Sequence, residues 1–277
     1  MLIARMRDVE LHIPEDAWYS FYNSPYTGHR NGTAVDVYFS DEALFPLSEG
    51  KVREIRKIDP PRFVPSDEEY LMIVEISPQL CLKVLHVKPH VSVGEKLTKF
   101  DPLGKQIISG FFRPWSDRHA HFEIRNCSDP YRARGAYPLD IHILSLVPST
   151  SCAEFVVEEK REYYYWLRPV KKDILSMTPL NYHGAGIEGG LPHYGTGAVF
   201  GSLNEISLFG YRISIRERRK NVSLFDANFS IYANGQRIKG IGAFCNQPFV
   251  KLIGGNFDEG DTISLRILTS FNGQNKA

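Results

Sequence analysis

The chain has 277 residues, of which 43% are hydrophobic and 23% are charged, a composition ordinary for a globular protein and long enough for two domains. Its 33 basic and 32 acidic residues nearly cancel, so net charge gives no electrostatic argument for a nucleic-acid partner. No stretch approaches the roughly 20 apolar residues that a membrane-spanning helix needs, and we expect no membrane partner.

The N-terminal segment lacks the apolar region of a signal peptide. Residues 1–18 carry four acidic side chains where that region would lie: Asp8, Glu10, Glu15 and Asp16. We therefore expect a cytoplasmic protein.

The cysteine pattern predicts free thiols. The four cysteines lie far apart and form no C-x-x-C pair: Cys81, Cys127, Cys152 and Cys245. We expect reduced, mostly buried side chains rather than a zinc knuckle or a disulfide framework.

Short apolar or alternating runs dominate the first half of the chain. They are bounded by Pro, Gly, Asp and Ser, and several alternate with period two, which is typical of β-strands. Long amphipathic helix patterns are scarce, so we predict a mostly β protein. The runs cover residues 34–39, 51–58, 70–77, 80–87, 119–125 and 139–147.

The cluster "VPSTSC" (147–152) predicts a boundary between a domain at 1–150 and a second domain at 151–277. Residues 153–177 fit either a helix broken at Pro169 or a pair of strands. We predict a Gly-rich loop at residues 183–201.

Alternating segments resume after this loop, at residues 205–217, 227–242, 249–255 and 261–271. Asn234-Gly235 lies between alternating residues and is a strong signal for a two-residue hairpin. We predict a β-sandwich-like accessory module here, through which the chain could form homo-oligomers.

Two short motifs carry the chemistry. The stretch "GHRNGTAVDVYF" (28–39) places His29 and Asp36 around a tight turn, which alone is most simply a surface turn. "RHAHFEIR" (118–125) places His119 and His121 on one face of a predicted strand, with Glu123 further along that face. Neutral imidazoles and a carboxylate suit Zn²⁺, and two histidines with an aspartate leave the open position that a hydrolytic zinc site needs.

Four motifs, in this order, resemble the lysostaphin-like zinc peptidases, whose relatives include the D-Ala-D-Ala peptidases. The resemblance covers about residues 25–128 and rests on "GHRNGTAVDV", "LFPLSEGKVREI", "VLHVKPHVSVGEKLTKFDPLGKQI" and "HAHFEIR". The last of these is close to the H-x-H-F-E signature of that family. The implied fold is a small antiparallel β-sheet core with the metal in a groove across it.

The resemblance also implies roles for five residues of these motifs. His29, Asp36 and His121 would be the ligands of Zn²⁺. His119 would be the general base or acid beside the metal, and His86 would stabilise the tetrahedral oxyanion. The implied function is a zinc endopeptidase that hydrolyses a peptide amide bond with metal-activated water.

The chain departs from the family pattern at two places. The H-x6-D interval is longer than the commonest lysostaphin-like form and matches the D-Ala-D-Ala relatives. Bulky residues precede His119 where the family has small ones, and we expect Phe112 and Trp115 to line the substrate groove. These departures point away from the usual glycine-rich or peptidoglycan substrate.

Two other functions stay open at this point. A scaffold protein would keep the peptidase fold and a metal without turnover, although all five site positions are filled, which favours an enzyme. A carbohydrate-binding protein would use the aromatic run at 163–166, although such runs more often belong to a core or an interface.

Overall fold

The computed structural model describes residues 1–59, 68–109, 115, 117–143, 151–171 and 177–269. The chain divides into two compact units, Met1–Leu144 and Ser145–Ala277. Across these described ranges nearly all regular structure is β-strand, which confirms the predicted mostly β fold. None of the helical structure in them is long and apolar enough to cross a membrane.

The first unit is built around a seven-stranded antiparallel sheet. Its elements are β1 (Leu2–Met6), β2 (Val9–His12), β3 (Trp18–Ser20), α1 (Thr27–Arg30), β4 (Val35–Tyr38), β5 (Glu42–Leu44), β6 (Glu49–Ile58), β7 (Glu69–Glu75), β8 (Leu80–Leu85), β9 (Val87–Pro89), β10 (Lys96–Thr98), β11 (Pro102–Gln106), β12 (Ala120–Asn126) and β13 (Asp140–Ile141). The central sheet has the order β10-β6-β7-β8-β12-β4-β3. Two three-stranded sheets, β13-β1-β2 and β5-β11-β9, complete the unit.

Strand β12 has one apolar face and one polar face. Ala120, Phe122 and Ile124 are fully buried apolar residues. The alternate positions, His121 and Glu123, are also buried but polar, because successive side chains of a strand point to opposite faces. One face of β12 therefore packs as core and the other carries polar groups.

Cys81 and Cys127 form a disulfide, so the prediction of four free thiols was wrong. The two residues are 46 apart in sequence, but β8 pairs antiparallel with β12, with Cys81 opposite Arg125. This pairing brings the two Cα atoms to 5.1 Å, within the range of a disulfide. Spacing along the sequence could not reveal a bridge that depends on non-local strand pairing. The cytoplasmic location loses the support of reduced cysteines and stays a prediction.

The second unit is a single antiparallel network of 13 strands. Its elements are β14 (Glu154–Lys160), β15 (Tyr165–Pro169), β16 (Asn181–Tyr182), β17 (Ala185–Leu191), β18 (Thr196–Val199), β19 (Glu205–Leu208), β20 (Tyr211–Arg218), β21 (Ser223–Asp226), β22 (Ser230–Ala233), β23 (Gln236–Arg237), β24 (Gly240–Ala243), β25 (Val250–Ile253) and β26 (Thr262–Leu268). The strands enclose an apolar core of their own that includes Phe155, Ile187 and Phe225. Residues 153–177, which fitted either a broken helix or a strand pair, contain the paired strands β14 and β15.

The prediction of a Gly-rich loop at 183–201 was wrong, because β17 and β18 lie there and pair with each other. Gly197 shows why glycine occurs in such a strand. A Cβ atom at this position would lie 2.3 Å from Cζ of Phe225, so the aromatic ring packs directly on the backbone.

The predicted hairpin at Asn234-Gly235 is confirmed. Both residues have positive φ, 48° and 82°, as a type I′ turn requires, and they join β22 to β23. The aromatic run at 163–166 is largely core: Tyr165 and Trp166 are buried and only Tyr163 is more than half exposed. This burial does not favour a sugar-binding platform.

Candidate metal centre

Three side chains of the first unit converge at a buried point. One ligand atom each from His29, Asp36 and His121 lies within 4.8 Å of the other two. The register of β4 and β12 pairs Asp36 directly with His121, and α1 supplies His29. This group could hold a metal ion.

A carbonyl group orients His29. Nδ1 of His29 donates a hydrogen bond of 2.8 Å to the Phe21 carbonyl, so in the neutral ring Nε2 carries the lone pair. That Nε2 lies 3.2 Å from Oδ1 of Asp36 and 3.3 Å from Nδ1 of His121. Gly28, the residue before His29, packs closely on Ala34, because a Cβ at Gly28 would lie 3.0 Å from Cβ of Ala34.

Two carboxylates hold His121, one at each ring nitrogen. Nδ1 lies 2.7 Å from Oδ1 of Asp36, and Nε2 lies 3.0 Å from Oε1 of Glu123. Burial alone would lower the pKa of His121, but the hydrogen bonds to Asp36 and Glu123 outweigh it and raise this pKa to about 9. An imidazole that offers one nitrogen to the ion and gives the other N–H to a carboxylate is a common arrangement of metal ligands.

The carboxylates themselves stay ionised. Burial would raise the pKa of Asp36, but the nearby imidazoles of His29 and His119 and the hydrogen bond from His121 hold this pKa well below its usual value. Burial would likewise raise the pKa of Glu123, yet hydrogen bonding and charge from His121, with Lys83 and Arg125, lower it to about 2. The donor set of two imidazoles and one carboxylate therefore fits a divalent metal such as zinc.

His119 lies beside this triad without belonging to it. Its Nδ1 donates to the Asp117 carbonyl at 2.8 Å, which makes Nε2 the acceptor nitrogen of the neutral ring. Nε2 lies 3.8 Å from Oδ1 of Asp36, further than the atoms of the triad lie from that oxygen. Burial lowers the pKa of His119 to about 4, so the ring is neutral at physiological pH.

His86 completes the group of five residues. Its ring centroid lies 4.8 Å from that of His119 and 6.0 Å from that of His121. The Oε1 atom of Glu69 accepts hydrogen bonds from both the backbone N–H and Nδ1 of His86, at 3.1 and 2.9 Å. His86 has φ of 65°, a left-handed conformation that costs energy for a residue other than glycine and is typical of functional positions.

A cavity of about 190 Å³ opens beside the triad and is lined by His29, Asp36, His86 and His121. Of the two residues predicted to line a substrate groove, Phe112 lies outside the described residues. Trp115 is buried, and the described lining of this cavity does not include it. A substrate groove formed by these two residues stays a prediction.

Sequence reasoning missed three charged residues of the site. Glu69 orients His86, Lys83 contacts Glu123 at 3.4 Å, and the fully buried Arg125 bonds Glu123 at 2.5 Å. Alternation along β12 could have identified Arg125, which follows His121 and Glu123 on the same face. A lysine within the apolar run of β8 was a signal for Lys83. No local pattern marks Glu69, because its partner lies across the strand pair.

Two family models match the chain. Residues 10–141 match the N-terminal domain of a domain of unknown function, DUF8155, and residues 151–268 match its C-terminal domain. The chain belongs to the DUF8155 family. No curated protein and no solved structure matches it.

The DUF8155 match carries no assigned activity, and it does not identify a peptidase family. All five candidate residues lie in the part of the chain that matches the N-terminal DUF8155 domain. In this chain, that part contains a buried His/Asp/His group that could hold a metal ion.

Proposed function

We propose that this DUF8155 protein is a zinc-dependent peptidase. The observation that carries the proposal is the buried group of His29, Asp36 and His121, with the neutral side chain of His119 directly beside it. The resemblance of the four sequence motifs to lysostaphin-like peptidases supports the same function. Its partner would be a peptide substrate.

Zinc is the ion that we propose for this site. Two imidazoles and a carboxylate are typical of catalytic zinc, which keeps a coordination position open. When bound, Zn²⁺ would supply Lewis acidity to a water molecule and to the substrate carbonyl. The hydrogen bonds from His29 to Phe21 and between His121 and Glu123 would keep both imidazoles in the ligating orientation.

His119 would move the proton during hydrolysis. Its Nδ1–H is held by the Asp117 carbonyl, so the Nε2 atom can accept a proton from the attacking water. A pKa of about 4 keeps that nitrogen unprotonated at neutral pH. The same atom would then deliver the proton to the amine that leaves.

His86 would stabilise negative charge on the substrate carbonyl oxygen. When it is protonated, its Nδ1 donates to Glu69 and its Nε2 can donate to the developing oxyanion. Glu69 would fix His86 through one hydrogen bond from its ring and one from its backbone N–H, so little reorganisation is needed when charge develops.

The experiment is a cleavage assay. Zinc-loaded wild-type protein is incubated with a broad peptide library, and His119→Ala serves as the matched control. We expect cleavage by the wild type and a fall of roughly 10²- to 10⁴-fold in the variant, the usual contribution of a positioned acid–base group. If the wild type binds zinc but cleaves no more than His119→Ala, the protein is a metal-binding scaffold instead.

A further inference from the structure

A buried lysine lines the cavity beside the candidate metal centre. Lys83 lies in the middle of β8, is only 5% exposed, and lines the same cavity as His29 and His121. Burial lowers the pKa of Lys83. An ammonium group removed from water needs a partner of opposite charge, so its position requires an explanation.

Glu123 only partly satisfies this lysine. Among the described residues, the one polar contact of Lys83 is from its Nζ to Oε1 of Glu123, at a long 3.4 Å. Glu123 is already paired more closely, through Oε2 with Arg125 at 2.5 Å and through Oε1 with His121 at 3.0 Å. The charge of Arg125 is enough to neutralise Glu123. The ammonium group of Lys83 has three N–H donors, and Glu123 accepts from it at only one oxygen. Lys83 is therefore not needed for the charge balance of Glu123.

The charge around the cavity favours an anionic ligand. The two buried cations Lys83 and Arg125 face three buried carboxylates, which are Asp36, Glu123 and the Glu69 that binds His86. A bound divalent cation would leave this cavity with an excess of positive charge. In a site shielded from water, such an excess attracts anions strongly.

We propose that Lys83 binds a carboxylate of the peptide substrate and so sets the specificity of the site. This inference rests on the proposed peptidase function. The cavity of about 190 Å³ has room for about six water molecules, at roughly 30 Å³ each, and is smaller than the usual site for a small molecule. It accommodates a short anionic group, and the carboxylate can come from a chain terminus or from an acidic side chain.

The test is peptide binding to the metal-free protein, where no turnover occurs. Calorimetry compares acetyl-trialanine as the free acid with its amide. We expect the acid to bind wild type about tenfold or more tightly than the amide, the effect of one charge-assisted hydrogen bond. Lys83→Met should remove this preference, and Lys83→Arg should retain it. Lys88→Met, at an exposed lysine on β9, is the matched control and should behave as wild type.

A third peptide, acetyl-Ala-Asp-Ala-amide, distinguishes the sources of the carboxylate. Binding of this peptide as tightly as the free acid assigns the site to an acidic side chain, and weak binding assigns it to the chain terminus. Equal affinity of wild type for acid and amide, including no measurable binding of either at millimolar concentration, overturns the inference even if Lys83→Met does not fold.

These binding measurements, together with zinc uptake and the cleavage assay, separate this inference from the proposed function. A preference for the acid in a protein that takes up no zinc would leave the carboxylate site in place and remove the peptidase. Zinc uptake and cleavage with equal use of acid and amide would keep the peptidase and remove the carboxylate site.

Discussion

His119 and His121 lie two residues apart on one face, yet their contacts differ. His121 is held by Asp36 and Glu123 at 2.7 and 3.0 Å, whereas Nε2 of His119 lies 3.8 Å from Asp36. We therefore expect His121→Ala to lose zinc, stability and activity together. His119→Ala should keep its zinc content and melting temperature while losing activity. Elemental analysis and thermal unfolding of both variants test this, and equal zinc in wild type and His121→Ala contradicts the ligand assignment.

Glu123 positions His121 by accepting a hydrogen bond from Nε2 of that histidine. It should therefore increase the affinity of the site for metal. Glu123→Gln removes the charge that accepts this hydrogen bond, and we expect zinc to bind about 10- to 100-fold more weakly. Competition with a zinc-binding dye measures the change. Glu75→Gln, at an exposed residue of strand β7 in the same sheet, is the control and should bind as wild type does. An unchanged affinity in Glu123→Gln would show that Glu123 does not support the ligand.

Metal uptake should weaken as pH falls. The pKa of His121 is raised to about 9 from 6.5, so its ring is charged in the metal-free protein at neutral pH and must lose a proton to bind an ion. Below pH 9 each lower pH unit should weaken zinc binding about tenfold. The same proton stabilises the metal-free fold fully below pH 6.5, and this stability is lost as pH rises through 9. Zinc titrations between pH 6 and 9 measure the slope, and a flat profile would contradict the coupling.

The local sequence pattern predicted much of this site, but it missed the residues whose contacts depend on strands distant in sequence. Period-two alternation placed His119, His121 and Glu123 on one face because it depends only on neighbours in the chain. Glu69 could not be identified, since its contact with His86 depends on the pairing of β7 with β8. Lys83 was visible as a charge in an apolar run, but its contact with Glu123 requires β8 to pair with β12.

At the scale of elements, strand β12 carries His121, Glu123 and Arg125, and the disulfide Cys81–Cys127 joins this strand to β8. The bridge closes a loop of 46 residues, and loop-closure entropy predicts a contribution of about 4 kcal/mol to the free energy of unfolding. We expect the double variant Cys81→Ser/Cys127→Ser to lose about this much. Zinc binding should persist, because neither cysteine contributes to the ligand group.

Denaturant unfolding with and without reductant measures this loss. Cys152→Ser, at a free cysteine, is the control and should unfold as wild type does. Reductant should destabilise the wild type and leave the double variant unchanged. Alkylation that labels four thiols in unreduced, denatured protein would show that the bridge is absent and would restore the argument for a cytoplasmic location.

Elements with a strong local signal were predicted correctly, and those stabilised only by packing were not. The hairpin at Asn234-Gly235 follows from the positive φ that its two residues tolerate. Strands β17 and β18 contain glycines that usually mark loops. They are strands because neighbouring strands pair with them and because Phe225 packs on Gly197. The ambiguity at 153–177 had the same origin, since the pairing of β14 with β15 and β26 determines the outcome.

At the scale of the whole molecule, the two units differ in chemistry. The described residues of the second unit contain no group of three ligands close enough to share an ion, whereas those of the first unit contain one. The second unit has an apolar core of its own. Formation of homo-oligomers through the second unit stays a prediction. The proposed metal site lies in the first unit.

Removal of metal should therefore affect the first unit only. The ion would link α1, β4 and β12, so its removal leaves the ligand groups held only by their hydrogen bonds. We expect chelation to increase amide exchange in these three elements and to leave β15, β17 and β25 unchanged, because binding stabilises the structure that contains the ligands. Hydrogen exchange followed by mass spectrometry, on zinc-loaded and chelated protein, measures both. His121→Ala is the control and should show the chelated pattern with or without zinc. Faster exchange in β17 or β25 on chelation would place a metal site in the second unit instead.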